Sequence, residues 1–506
     1  MSVSWGYSPK SEKFIPLGNF PADKYLIVAQ QAIENLGWEL SHISKTGLIA
    51  YTPISLQSYS EEISIRIHGG FAVVKSECVG IQMLFNDYGK NELNFEKFFH
   101  EFEYVEFHLQ GIWDERLDRF HRLIAEQDDT YFEKAPLAVK NKIKNILYLF
   151  FPQKGYKATP LLVLINVTYF FLIWLVTVLY FRYILTNQVH ADADIFVQKA
   201  KNFSLNLGVN HRNAVLDGAY WRLITYQFVH GSISHIFFNM YAFIYLGLMI
   251  ENKLGWKKFL FIYIFSGVCG GSMSLIFHQE TIMMGASGAI MGLYGAFIAL
   301  LLNKTFEPKA TRALLISTLI VSALILINGA FGKKVDNAAH IGGFLCGFIL
   351  CCTLVFNFRN KVEIRHWVRY SVSTLLVLLF SGSIVGFSSK YQTEKFNELS
   401  KEFNSNLEYL KTITRLEIDL PKDIKLISIK EDGIKPTEKN LKIIKQMQGL
   451  NLNSENAKER DRKIRLGKAS YQAVMLMYRD IKGDSTFKYS KQTSNALGKM
   501  FTILYE

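Results

Sequence analysis

Cysteine is scarce in this chain of 506 residues, and the five present are not placed as a disulfide framework. Cys269, Cys346, Cys351 and Cys352 fall inside apolar runs, Cys78 lies in a polar region before them, and the region from Ser388 onward has none. The first 25 residues lack the apolar core of a cleavable signal peptide, and the run beginning at Leu161 comes too late to be one. No H-E-x-x-H is present, and no Asp or Glu stands near His230 and His235 as a third ligand, so neither a metal nor any other cofactor is expected. The net charge of +13 does not by itself point to nucleic acid, because part of it sits in short loops between apolar runs.

What the chain has instead is clustered apolar sequence. A bilayer span needs roughly 17–25 largely apolar residues. Leu161 to Phe181 meets that with no charge inside it. Six further runs follow: Ile233 to Ile250, Phe259 to Phe277, Ala286 to Leu302, Ala313 to Phe331, Asn337 to Phe356 and Tyr370 to Phe387. Joined by short charged loops, they predict a mainly α, polytopic membrane bundle. Lys154 and Lys157, then Lys253, Lys257 and Lys258, then Lys304, Lys309 and Arg312, then Arg359 to Arg369 flank alternate ends. The loop His278 to Gly285 has no Lys or Arg, and Lys333 and Lys334 are the exception to the pattern. The positive-inside rule therefore predicts a cytoplasmic N-terminus and, with seven spans, an extracytoplasmic C-terminus; a bacterial inner or plasma membrane is the expected location.

Residues 1–153 read as a small α+β soluble domain: a helix over Pro21 to Gly37, strands at Trp38–Ser44, Gly47–Thr52, Glu61–His68 and Phe71–Cys78, and one closing helix from Phe95 to Glu126. His100, His108 and His121 are scattered along helical sequence and read as surface or core residues. Ala135 to Gln153, basic and then aromatic, suits either a membrane-surface helix or a plain linker. The loop after the first run is long, about 50 residues, and carries Tyr220-Trp221-Arg222, suited to the membrane interface. The segment 388–506 reads as a mostly helical soluble domain. Lys390 to Arg415 is expected to continue the last span, and Thr437 is a plausible N-cap for a helix to Gln448. Glu455 to Lys482 is a further helix. Neither flank shows a chemical motif.

The chemistry concentrates in the even-numbered runs. Alternate helices of a bundle enter the bilayer from the same face, so His235, Ser287 and His340, each near the start of such a run, share one depth. Polar groups there are costly and usually functional. Ser287 sits in Gly285-Ala286-Ser287-Gly288, at a helix N-terminus that favours negative charge. Read alone, this segment fits a packing motif as well as a nucleophile, and it is not the G-x-S-x-G elbow of soluble hydrolases, since Ala289 ends it. Gly288, Gly292 and Ala296 form a small-residue stripe that Gly343 and Gly347 can meet. That pairing would bring His340 to Ser287 as its base. His235 and Asn239, four apart on one helix face, can donate to one point. With the Ser287 N–H they would form an oxyanion hole.

Taken in order, these elements resemble the rhomboid family of intramembrane serine proteases: Tyr220-Trp221-Arg222, Phe228-Val229-His230 through His235 to Asn239, Glu251 with Gly255, GASGAIMGLYGA, and VDNAAHIGG. The resemblance covers roughly residues 160–356 and reaches 387 with the last span, giving a protease domain of six core spans plus one over 160–387. It implies Ser287 as nucleophile, His340 as base in a dyad without an acid, and His235 and Asn239 on the oxyanion. His230, Trp221, Arg222, Glu251, Gly285, Gly288, Met291 and Gly343 would support them. Met291 stands where members often carry Tyr or Phe against the catalytic histidine. The implied partners are single-span membrane proteins, cut near the outer face where Gly or Pro weakens the helix and after a small residue, with the soluble flanks recruiting substrates or protein partners. The rival reading is a non-catalytic adaptor of the same fold that binds membrane clients. A transporter is a third, though polar residues line only one end of the bundle.

Overall fold

The structure is a computed structural model. It describes residues 9–54, 59–79, 87–109, 111–125, 149–153, 155–187, 205–278, 282–303, 308–331, 335–356, 365–413, 420–483 and 490–505, with Gln127, Phe132, Phe203, Thr305 and Phe306. The chain divides into two compact units, Met1–Ser388 and Ser389–Glu506.

The first unit opens with an antiparallel sheet in the order β1-β5-β4-β3-β2, made of Lys10–Pro16, Glu39–Ser44, Gly47–Tyr51, Glu61–His68 and Phe71–Cys78 in chain order. The β4–β5 hairpin turns on Gly69-Gly70, with His68 paired to Phe71 and Gly69 at φ +59°, a conformation that costs a glycine little. Strand β1 was not expected. It pairs along β5 from Lys10–Glu77 to Pro16–Phe71, but KSEKFIP has no apolar alternation and Phe14 is exposed, as an edge strand permits. The single helix expected from Phe95 to Glu126 is two, Lys90–His108 and Trp113–Ile124, broken around Gly111. His121 is exposed and pairs with Asp23 at 2.9 Å.

One face of the sheet packs under the helices Ala22–Asn35, Lys90–His108 and Trp113–Ile124. On the other face, Ile49 and Tyr51, with Val79 just beyond β5, join the same apolar cluster as Ala158, Leu162 and the membrane helices. Lys309 lies 3.2 Å from Glu39. The sheet thus sits at the end of the bundle where Phe306 lies, opposite Ser287. Residues 133–148, and with them most of the surface helix expected at Ala135–Gln153, lie outside the described residues.

All seven apolar runs form helices: Ala158–Asn187, Ile233–Leu254, Trp256–Phe277, Ser287–Leu302, Pro308–Phe331, Asn337–Val355 and His366–Phe387. Six are long and apolar enough to cross a bilayer. The fourth has only 16 residues, about 24 Å at 1.5 Å per residue. That is shorter than a hydrocarbon core of about 30 Å. Every residue from Gly288 to Leu301 is buried, so this helix is the axis of the bundle.

The second unit is helical: Thr393–Ile413, Lys422–Ser428, Lys435–Gln448, Ser454–Gly483 and Lys491–Tyr505 around Phe396, Phe403, Met447, Leu466 and Met477. Two expectations are corrected here. The last apolar helix ends at Phe387, and Thr393 starts a separate helix rather than its continuation. Thr437 caps no helix start: its hydroxyl donates back to the carbonyls of Gly433 and Ile434. The helix instead runs on through a π-helical stretch, Ile429–Ile434. Pro436, which has no N–H to give to the preceding turn, comes two residues after the end of that irregular stretch.

Candidate active site

The site begins with a close approach of backbones. A Cβ built on Gly343 would collide with the carbonyl oxygen of Gly288, and one on Gly347 with that of Gly292. A Cβ on Gly270, from the third helix, would lie 2.7 Å from the Ala339 carbonyl. The fourth and sixth helices therefore touch along the glycine stripes read from the sequence. Gly288 and Ala339, the neighbours of Ser287 and His340, meet at one level: the Ala339 oxygen is 3.6 Å from the Gly288 Cβ position. Ser287 is half-buried and His340 buried. Among the described residues, His340 Nδ1 has no hydrogen-bond partner.

The second helix supplies the other two side chains. Ser232 caps its start by accepting from the His235 N–H at 3.1 Å. Gly285 has φ +119°, and a Cβ there would lie 2.7 Å from His235 Nε2 and 3.5 Å from Asn239 Nδ2. The backbone entering Ser287 thus runs against both donors, and Asn239 Nδ2 is buried without a partner among the described residues. His340 is near enough to His235 to interact with it electrostatically. The starts of the second, fourth and sixth helices thus meet: Gly285 lies against His235 and Asn239, and Gly288 beside Ala339.

The supporting residues divide by task. His230 is buried, with Nδ1 3.3 Å from the Phe228 carbonyl oxygen and its ring edge-on to His235 at 5.1 Å. Burial, then the neighbouring His235, pushes its imidazole down to about 4, so it stays neutral at physiological pH. Arg222 is buried, donating to the Leu205 and Val209 carbonyls at 2.5 and 3.0 Å and stacking on Trp221. Tyr220 and Trp221 are exposed, as residues of a membrane interface would be. Glu251, fully buried, accepts the N–H groups of Lys157, Ala158 and Thr159 at 2.6–2.8 Å and so caps the first apolar helix. Met291 is buried beside the site in the bundle core.

Sequence reasoning assigned no role to three residues, two that hold the serine segment and one that starts the sixth helix. The Tyr226 carbonyl accepts the Gly285 N–H at 2.9 Å, while its hydroxyl donates to the Gly267 carbonyl at 2.7 Å. Asn210 bridges to Met283 through two backbone bonds of 2.9 Å. Asp336 caps the sixth helix by accepting the Ala339 N–H at 3.0 Å. Only Asp336 had a sequence signal, an Asp just before an apolar helix.

A polytopic bundle whose central short helix begins with a serine, faced by two histidines and an asparagine, defines a class of integral membrane protein. The rhomboid domain family matches residues 217–357. "RHOMBOID-like protein 5" of Arabidopsis thaliana is 36% identical over 222 residues, covering 39% of this chain and 70% of the relative. "RHOMBOID-like protein 6, mitochondrial" of the same plant is 34% identical, covering 36% and 64%. "Rhomboid protease GluP" of Bacillus subtilis is 28% identical, covering 46% and 49%. The chain belongs to the rhomboid family. It spans about half to two thirds of the length of most of these relatives.

Proposed function

We propose that this protein is an intramembrane serine endopeptidase that cuts single-span membrane proteins with a Ser287–His340 dyad. The observation that carries the reading is the convergence of the fourth and sixth helices through their glycine faces, with Gly285 against His235 and Asn239. Neutral His340 takes the proton as Ser287 Oγ attacks the scissile carbonyl. The developing oxyanion receives hydrogen bonds from His235, Asn239 and the Ser287 N–H. His340 then returns the proton to the leaving amine, and water releases the acyl group by the same route in reverse. Because the fourth helix is short, the serine is submerged, and only a substrate that unwinds there exposes its peptide bond. The soluble regions, 1–153 and 388–506, flank the protease domain at 160–387 and recruit substrates or partners.

A fluorophosphonate probe applied to membranes tests the chemistry. Labelling of Ser287, lost in Ser287→Ala, is the expected result; no labelling of a folded protein selects the non-catalytic adaptor instead. For topology, residues 1–153 are placed in the cytoplasm and 388–506 outside. In a variant lacking the five native cysteines, Ser454→Cys should react with an impermeant maleimide in intact cells (spheroplasts where there is an outer membrane), and Asn19→Cys only after lysis. Both positions are exposed. Protection of position 454 until lysis would put both regions on one side.

A further inference from the structure

We propose that Asp336 is a positioning residue for this reaction: a fixed negative charge, one turn ahead of His340, that anchors the start of the sixth helix and stabilises the imidazolium formed when His340 takes the serine proton. The inference rests on the serine-protease reading. Its geometry is specific. The carboxylate accepts the Ala339 N–H at 3.0 Å through Oδ1 and the Ser274 hydroxyl through Oδ2, and His278 Nδ1 lies 3.4 Å from Oδ1. The Asp336 backbone carbonyl accepts the His340 N–H at 3.1 Å. Held on several sides, the carboxylate does not hydrogen-bond the His340 ring, whose Nδ1 is unpartnered among the described residues. It acts through space, as a charge.

Such a charge answers a need created by the fold. His340 lies in the first turn or so of its helix, where the backbone dipole presents its positive end and opposes a second positive charge. An imidazolium formed there is disfavoured unless an anion offsets the dipole. Among the described residues, the titratable groups that interact with His340 or with the Asp336 carboxylate are His235 from the second helix, Tyr226 from the loop and His278 at the end of the third helix. None of these is an anion at neutral pH in ordinary circumstances. Asp336 is the carboxylate among these described groups. The dyad is thus assisted by an acid that never touches its histidine.

Asp336→Asn separates charge from structure, because Asn is as good an N-cap as Asp. Asp336→Ser is a second neutral cap should Asn fold poorly. The experiment measures cleavage in proteoliposomes, and the rate of fluorophosphonate labelling of Ser287, across pH. Removing the anion destabilises the imidazolium, so the neutral base persists to lower pH but is weaker. The acid limb should move down by about one pH unit and the rate above it should fall about tenfold, with thermal stability close to wild type. Asp336→Ala should also lower thermal stability, through the lost cap. An acid limb that stays at the wild-type pH in a folded neutral-cap variant overturns the proposal, whatever the loss of rate. A wild-type protein that neither cleaves nor labels at Ser287 would instead sink the protease reading, and this inference with it.

Discussion

The fourth and seventh apolar helices are opposites, and the contrast shows where function sits. The seventh has 22 residues and is long enough to span, yet most of it is not buried. Its buried positions are Arg369, Ser373, Val377 and Ser381, a single four-residue stripe. Arg369 donates to the Thr353 and Phe356 carbonyls, and Ser373 meets the Thr353 hydroxyl at 2.8 Å. Arg369 and Ser373 thus form a polar seam against the end of the sixth helix. The fourth helix is too short to span and is buried on every side. A peripheral helix needs one adhesive face. A central one buries large side chains such as Met291, Tyr294 and Phe297 as well as its glycine stripe, and can begin inside the membrane, where a serine is shielded from bulk water.

If that contrast is functional, the largest effect of any substitution should come at the start of the fourth helix and its partner. Ser287→Ala and His340→Ala should each lower cleavage of a tagged single-span substrate by at least about a thousandfold, while leaving insertion and thermal stability near wild type. Full activity in either variant would remove the dyad. One step milder is Asn239→Ala. It deletes one oxyanion donor, which typically costs about a hundredfold to a thousandfold in kcat. Here His235 and the Ser287 N–H remain, so the loss should sit at the lower end and leave KM nearly unchanged. Unchanged rates in both Asn239→Ala and His235→Ala would remove the oxyanion role.

The membrane part of the fold was legible because its rules are strict: apolar length marks the helices, and small residues at four-residue spacing mark the faces that touch. Gly343 against Gly288 and Gly347 against Gly292 follow from that spacing alone. What stayed hidden depends on distant partners. Strand β1 exists because β5 offers an edge, not because KSEKFIP is a strong strand former. Tyr226 and Asn210 act through hydrogen bonds to residues some 40 to 70 positions away, such as Gly267 and Met283. Thr437 looked like a cap because it follows Pro436, and the preceding π-helical stretch that keeps the helix continuous has no simple sequence signature. The roles proposed for Ser287, His340, His235 and Asn239 were read from their shared depth, the glycine stripes, the four-residue spacing of His235 and Asn239, and motif order; the structure adds the contact of Gly285 with His235 and Asn239 and of Gly288 with Ala339.

The comparison is sharpened most by a pair of identical substitutions placed on its two sides. Gly347→Ala would push a methyl group into the Gly292 carbonyl, backbone against backbone, and neither helix can yield without separating. Overpacking of this kind costs about 1–3 kcal/mol or more, and it would draw the sixth helix, with His340, away from Ser287. Both thermal stability and cleavage should fall together. Gly382→Ala in the seventh helix has nothing within 4 Å of the new Cβ. There the change should be neutral or slightly stabilising, by up to about 1 kcal/mol, since Ala is the better helix former. Thermal denaturation of the two variants in the same detergent, with cleavage assayed alongside, makes the measurement. Equal melting temperatures would mean that the fourth and sixth helices are not held in backbone contact, and the geometry on which the dyad depends would go with it.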